Sequence, residues 1–204
     1  MKNLQRFRDF VARFTALVDA HGADEARIFA DGEPLLRELV AHDDWLPEDC
    51  AVPSPDSYRQ YLLHCDPLER FSVVSFVWGP GQRTPVHDHT VWGMVGVMRG
   101  AELCQEFGAP VRGHAMKPQG EHRIEPGAVD RVSPTVGDVH VVANALADRP
   151  SISIHVYGAN IGAVRRHVFD PATGEARDFV SGYHNTSVPN FWDRAEDVRR
   201  SIAA

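Results

Sequence analysis

Residues 81–100 read GQRTPVHDHTVWGMVGVMRG, and this stretch decides both the fold and the site. At its centre, His87 and His89 are separated by one residue. Because side chains two positions apart on a β-strand point to the same face, both imidazoles can bind one metal ion. The intervening Asp88 then points the other way. We predict one strand near residues 84–89 and a second near 93–99, each bounded by glycine or proline.

Short strand-like segments continue on both sides of this stretch. Phe71–Trp78 is rich in β-branched and aromatic residues and stops at Gly79-Pro80-Gly81. Many short strands with turn residues at close intervals indicate a β-sandwich or barrel. Residues 108–121, with several Gly, Pro, Lys and Gln, are the best candidate for a mobile loop. The further segments lie near residues 101–106, 129–133, 139–143, 151–157 and 164–169.

The first third of the chain has a helical pattern instead. Apolar residues recur at spacings of three and four from Leu4 to Val18, and His21-Gly22 is a suitable helix end. A second helical stretch is expected over residues 24–30 and 34–41, with Pro34 in a first-turn position. After a proline-containing connection at 46–57, we predict a short helix or turn at 58–64.

We interpret residues 1–204 as one domain, with a mainly helical segment at 1–65 and a β-barrel with a metal site at 70–190.

The chain has 43% hydrophobic and 24% charged residues and a formal net charge of −7, without a basic stripe. This composition argues against a nucleic-acid partner. The sequence has no run of roughly 18 apolar residues, so we expect no membrane-spanning helix. Three cysteines without a CxxC pair, and no apolar leader, favour a reducing cytoplasm over a disulfide framework.

A third ligand for the metal must come from another strand, and His140 begins the apolar run at 140–143. A lone histidine on such a strand is more often a hydrogen-bonded core residue, so the flanking residues matter. Imidazole ligands suit iron, zinc, copper or nickel. Three histidines and a water describe a hydrolytic zinc site equally well. A cupin that only binds a metal or ligand is a further alternative from a different functional class.

The spacing of glycines around the histidine pair resembles the first motif of the cupin superfamily. That motif has Gly, five residues, HxH, three or four residues, Glu, six residues and Gly. Here the order is Gly81, five residues, the histidine pair, three residues, Gly93, six residues and Gly100. Gly93 therefore stands where cupins usually have a glutamate ligand.

The second cupin motif has a matching stretch around His140. Pro134, Gly137, His140 and Asn144 follow its order with one extra residue between the proline and the glycine. The resemblance implies a mainly β fold, a cupin-type jelly-roll barrel with the N-terminal helices packed outside it.

The segment Ser151–Tyr157 alternates polar and apolar residues with period two. Ser153, His155 and Tyr157 therefore share one face of a strand. Periodicity alone leaves two alternatives, an inward-facing hydrogen-bonded relay or a solvated outer face.

Three sequence patterns together resemble the thiol dioxygenases typified by cysteine dioxygenase. These are HDHT at 87–90, Gly-Asp-x-His at 137–140 and Ser-x-His-x-Tyr at 153–157, within a similarity from about Tyr58 to Asn190. The resemblance implies one non-haem Fe(2+) per chain, held by His87, His89 and His140, with the Ser153–His155–Tyr157 triad beside it. The implied partners are O2 and a small thiol, which becomes a sulfinic acid.

Two positions refine the substrate that this resemblance implies. Animal members of the family bind the substrate carboxylate with an arginine. In this chain the segment Tyr58-Arg59-Gln60 places Gln60 at the position of that arginine. This resembles the bacterial glutamine type, similar to 3-mercaptopropionate dioxygenase, with L-cysteine as the alternative substrate. Arg166 is either a replacement cation in the site or a solvated surface residue. The oligomeric state stays open.

The animal enzymes also have a cysteine that crosslinks to the active-site tyrosine. The corresponding stretch here, Trp92-Gly93-Met94, has none, so Tyr157 should be an unmodified phenol. Trp92 and Met94 are candidates for the wall of the pocket. Cys104 is expected to be a small buried hydrophobe.

Overall fold

A computed structural model describes residues 3–22 and 24–191, and two antiparallel sheets form the main body of this part of the chain. The first sheet has the strand order β1-β2-β9-β4-β7, and the second has the order β11-β10-β3-β8-β5-β6. The prediction of a mainly β fold with helices outside is confirmed. The strands are β1 (Arg59–Cys65), β2 (Ser72–Trp78), β3 (Val86–His87), β4 (Gly93–Arg99), β5 (Glu102–Phe107), β6 (Pro118–Ile124), β7 (Val129–Val132), β8 (His140–Asn144), β9 (Ser151–Tyr157), β10 (Arg166–Phe169) and β11 (Ala176–Phe179).

Two helices, α1 (Leu4–His21) and α2 (Glu25–Val40), cover the outer face of the first sheet. Helix α2 packs closely on β4, since a Cβ added at Gly96 would lie 3.0 Å from Val40 Cγ1. Within residues 3–22 and 24–191, no helix has the length and apolar character needed to cross a bilayer.

Strand β9 is buried on both faces, and this decides between the two readings of its polar row. Ile152, Ile154 and Val156 belong to the core that contains the helices. The other face, with Tyr157, packs between the two sheets. The polar row therefore faces the barrel interior, and the solvated alternative is wrong.

Residues 59–65, expected as helix or turn within the mainly helical segment 1–65, form the edge strand β1 instead. A register shift between Leu62 and His64 interrupts the period-two pattern that identifies strands. Pairing with β2 stabilises this strand although its sequence does not alternate.

Two further expectations need correction, and one strand was not predicted. Pro34 lies inside one continuous helix, α2, rather than in a first turn. Burial of the apolar face of α2 outweighs the cost of an internal proline. The expected loop at 108–121 overlaps strand β6, which starts at Pro118 and pairs with β5. Strand β11 was not predicted, because its largely exposed residues lack the apolar alternation of a strand.

Candidate metal centre

Three histidines, one on β3, one on β8 and one just after the end of β3, meet in the space between the sheets. His87 on β3 pairs directly with His140 on β8, and His89 follows two residues later. Ring nitrogens of the three residues lie within 4.8 Å of one another, and all three side chains are buried. The three ring centroids are each 4.9 Å apart, so the rings form a nearly equilateral triangle.

The Nδ1 atom of each ring has a partner outside the triangle. For His87 it is the Pro85 carbonyl oxygen at 3.1 Å, which can only accept a hydrogen bond. For His89 it is a carboxylate oxygen of Asp138 at 3.0 Å. For His140 it is the Sγ atom of Cys104 at 3.4 Å. Such partners orient metal-ligating histidines in proteins, and here they leave Nε2 of each ring for a shared ligand.

The electrostatics of the cluster suit a cation. Burial and the neighbouring His89 lower the pKa of His87 to about 3, and the same causes lower the pKa of His140. Both rings are therefore neutral at neutral pH and keep a lone pair for a metal. Burial raises the pKa of Asp138, but its hydrogen bonds with His89 and Thr90 prevail and hold that pKa below the usual value. The donor set fits a divalent transition metal such as Fe2+.

The polar row of β9 is a continuous hydrogen-bonded relay. Ser153 Oγ lies 2.8 Å from His155 Nε2, and His155 Nδ1 lies 2.7 Å from the phenol oxygen of Tyr157. The ring of Phe76 stacks on His155 with centroids 4.0 Å apart. Burial lowers the pKa of His155 and raises that of Tyr157, so both side chains stay neutral at neutral pH.

The Tyr157 ring occupies the space beside Gly93, its partner on β4. A Cβ atom at Gly93 would lie 2.6 Å from Cδ1 of Tyr157 and 2.9 Å from Cγ2 of Val132. Distances below 3.0 Å do not occur between such atoms without movement. The position of the cupin glutamate therefore has no room for any side chain in this arrangement.

A cavity of about 150 Å³ opens in front of the histidines and the relay. Of the eight residues singled out by sequence, Gln60, His87, His89, His140, His155, Tyr157 and Arg166 line it, and Ser153 lies behind His155. Arg59 points elsewhere, toward Ser54.

Arg166 is a cavity residue and not a solvated surface residue, since only 4% of it is exposed. Its Nη2 atom donates to Ser181 Oγ at 2.7 Å, and its guanidinium lies over the Phe179 ring. Among residues 3–22 and 24–191, its Nε atom has no hydrogen-bond partner. Burial lowers the pKa of Arg166, but a guanidinium stays charged at neutral pH. The cavity thus contains a cation with unused donor capacity.

Gln60, which is part of β1, also lines the cavity and is buried. Its side-chain nitrogen donates to the Gly182 carbonyl oxygen. This contact holds the amide in place and leaves its second N–H for a ligand.

Sequence reasoning missed several neighbours of the site. The aromatic wall is made by Tyr58, Phe76 and Trp78, and not by Trp92 or Met94, which pack on the side of the helices. Cys104 is buried as expected, but its contact with His140 was not foreseen. Asp138 was detectable in principle, since it lies two residues before His140 in the Gly-Asp-x-His pattern.

Comparison with known proteins places these features in a family. The sequence model of the family "Cysteine dioxygenase type I" matches residues 55–170. Cysteine dioxygenase type 1 of Danio rerio is 27% identical over 128 residues, which cover 61% of this chain and 58% of the relative. The chain therefore spans less than two thirds of the length of this relative.

Solved structures of cupin proteins are also similar to the chain. A cupin-like protein from Thermotoga maritima is 24% identical, with a TM-score of 0.39 over 51% of this chain and 73% of that chain. An RmlC-like cupin from Ralstonia eutropha is 13% identical, with a TM-score of 0.42 over 75% of this chain and 80% of that chain. The family match at 55–170 covers more than half of the sequence and contains all three histidines and the whole relay. The chain belongs to the cysteine dioxygenase type I family.

Proposed function

We propose that this protein is an iron-dependent thiol dioxygenase that acts on a small thiol carboxylate. The reaction is R–SH + O2 → R–SO2H, in which sulfur is oxidised and both oxygen atoms enter the product. The observation that carries the proposal is one cavity lined by three buried imidazoles, a hydrogen-bonded tyrosine and a buried guanidinium. Family membership supports the same reaction class.

His87, His89 and His140 would hold one Fe2+ through their Nε2 atoms. When bound, ferrous iron supplies Lewis acidity toward the thiol and electrons for the activation of dioxygen. A zinc hydrolase on the same ligands is the alternative that metal analysis of the purified protein distinguishes. Iron supports the oxygenase, zinc supports the hydrolase, and a metal-free protein supports a binding module.

Arg166 and Gln60 bind the carboxylate end of the substrate in this proposal. The free Nε of Arg166 provides a charge-assisted donor, and Ser181 keeps the guanidinium in place. The carboxylate compensates a cation that is otherwise buried at a desolvation cost.

Tyr157 donates a hydrogen bond from its neutral phenol to the reacting groups. Because His155 is neutral, it has a single ring N–H. If Ser153 donates to Nε2, Nδ1–H donates to the phenol oxygen, and the phenol proton points away from the relay into the cavity. The relay thus orients a donor without changing its charge.

We favour 3-mercaptopropionate over L-cysteine as the substrate. The described residues that line the cavity include Arg166 but no carboxylate. The ammonium group of cysteine would meet a cation and find no counter-charge, whereas 3-mercaptopropionate has no such group.

The test is oxygen uptake by iron-loaded protein with 3-mercaptopropionate, cysteine and cysteamine in parallel. We expect the order of kcat/KM to follow that order of substrates, because cysteamine lacks the carboxylate. His140→Ala should lose iron and turnover together. A variant that keeps stoichiometric iron and full turnover would refute the metal site.

A further inference from the structure

Glu102, the first residue of β5, is a fully buried acid that the proposed reaction does not use. Its exposed fraction is 0%. Within residues 3–22 and 24–191, neither carboxylate oxygen has a partner in hydrogen-bonding geometry. Buried polar groups in proteins are nearly always hydrogen-bonded, so such a group needs a functional or structural explanation.

The side chains that face Glu102 place it at the end of the relay. The Ser153 hydroxyl and the Trp78 indole N–H are the polar groups near its carboxyl and lower its pKa, although neither makes a hydrogen bond of ordinary geometry with it. Trp78 Nε1 also lies 3.4 Å from Ser153 Oγ. Ser153 is thus the link between Glu102 and His155.

The surroundings of Glu102 favour its neutral form. Burial raises its pKa to about 8, and Ser153 and Trp78 lower it only in part. Glu102 also interacts electrostatically with three other titratable groups. These are Asp130 on β7, Cys104 on its own strand and Tyr157 on β9. None of these three side chains is a cationic group, so none favours the carboxylate.

We propose that Glu102 is a positioning residue whose protonation state sets the direction of the hydrogen bonds through Ser153, His155 and Tyr157. The inference rests on the proposed function, because the direction matters only if Tyr157 acts on a bound substrate.

The protonated acid makes the relay point toward the cavity. Its O–H donates to Ser153 Oγ, so the Ser153 O–H donates to Nε2 of His155. The Nδ1–H of His155 then donates to the Tyr157 oxygen. The phenol O–H is left to donate to the substrate or dioxygen.

The ionised acid reverses the relay, because a carboxylate only accepts hydrogen bonds. The Ser153 O–H turns to the carboxylate, and the Nε2–H of His155 donates to Ser153 Oγ. Nδ1 then becomes an acceptor for the hydrogen bond that the phenol O–H of Tyr157 donates. The phenol no longer presents a donor to the cavity.

The pH profile of turnover tests this directional role. For the wild-type protein we expect kcat to fall about tenfold between neutral pH and one unit above the ionisation of Glu102. Glu102→Gln always donates from its amide, so it should keep the neutral-pH turnover and lose this alkaline fall. Glu102→Leu offers no donor and should lower kcat at every pH with KM and iron content unchanged.

Glu121→Gln is the matched control, because Glu121 is an exposed glutamate on the neighbouring strand β6. It should show the wild-type profile. The proposal is overturned if Glu102→Gln retains the alkaline fall, or if Glu102→Leu turns over like wild type.

Infrared difference spectroscopy separates this inference from the proposed function. At neutral pH the wild-type protein should show a protonated carboxyl band that disappears in Glu102→Gln and shifts in Ser153→Ala. If no thiol supports oxygen uptake but this band behaves as expected, the proposed function is refuted, whereas the contact between protonated Glu102 and Ser153 is supported. If the band is missing at neutral pH, the role of Glu102 is refuted even in an active enzyme.

Discussion

Gly93→Ala tests whether the absent side chain on β4 determines where the Tyr157 ring lies. The added methyl would stand 2.6 Å from Cδ1 of Tyr157, whereas ordinary contacts begin at 3.4 Å. The ring must therefore move by about 0.8 Å. A shift of this size along the 2.7 Å bond to His155 Nδ1 stretches it to the limit of hydrogen bonding.

Two consequences can be given magnitudes. Overpacking of this kind costs about 1–3 kcal/mol of unfolding free energy. For a chain of this size, each kcal/mol lowers Tm by about 2–4 °C. Loss of an oriented proton donor lowers turnover by ~10²-fold or more. Iron content should stay near stoichiometric, because no histidine ligand changes.

The assay is thiol-dependent oxygen uptake at matched iron content, together with thermal unfolding. Gly96→Ala is the control on the same strand, where the new Cβ would meet Val40 and Leu36 of α2 at 3.0 and 3.1 Å on the opposite face. We expect it to lose stability and keep turnover. The reasoning is refuted if Gly93→Ala has wild-type turnover, or if both variants lose turnover equally.

Three other perturbations test separate parts of the site. Tyr157→Phe should keep iron and lower kcat by ~10²-fold, measured by oxygen uptake at saturating thiol. Arg166→Ala should raise KM for 3-mercaptopropionate by at least ~10-fold and leave KM for cysteamine nearly unchanged. The exposed Arg165→Ala serves as its control, and equal effects on both thiols would contradict the carboxylate assignment. For Glu102, the pKa of about 8 exceeds the ordinary 4.5, so the folded chain binds this proton more tightly than the unfolded chain. Its contribution to unfolding free energy therefore falls as pH rises from about 4.5 to about 8. Glu102→Gln should remove that slope and add about 3 kcal/mol at pH 7, from ~1.4 kcal/mol per pH unit. Urea unfolding across this range measures it, and an unchanged slope would contradict the buried-acid interpretation.

The local pattern of the sequence was sufficient for features that depend on a single strand. The period of two put Ser153, His155 and Tyr157 in one row of β9, and the same spacing brought His87 and His89 together although β3 ends at His87. Both predictions needed only the geometry of an extended backbone, which is the same wherever the strand lies.

Local pattern was insufficient where pairing or packing overrides it. Residues 59–65 form a strand although their apolar residues do not alternate, because β2 supplies the partner. Likewise, periodicity could not say which face of β9 points inward. That choice depends on the two helices, which cover the isoleucine face and leave the polar face to the barrel.

The sequence by itself therefore determined the candidate histidines, the spacing of His87 and His89, and the order of the relay. Only the tertiary structure decided that His140 meets His87 across β3 and β8, that Arg166 lies in the cavity, and that Glu102 faces Ser153. These contacts join strands that are far apart in the chain. Their distances follow from sheet order and packing, which no local periodicity encodes.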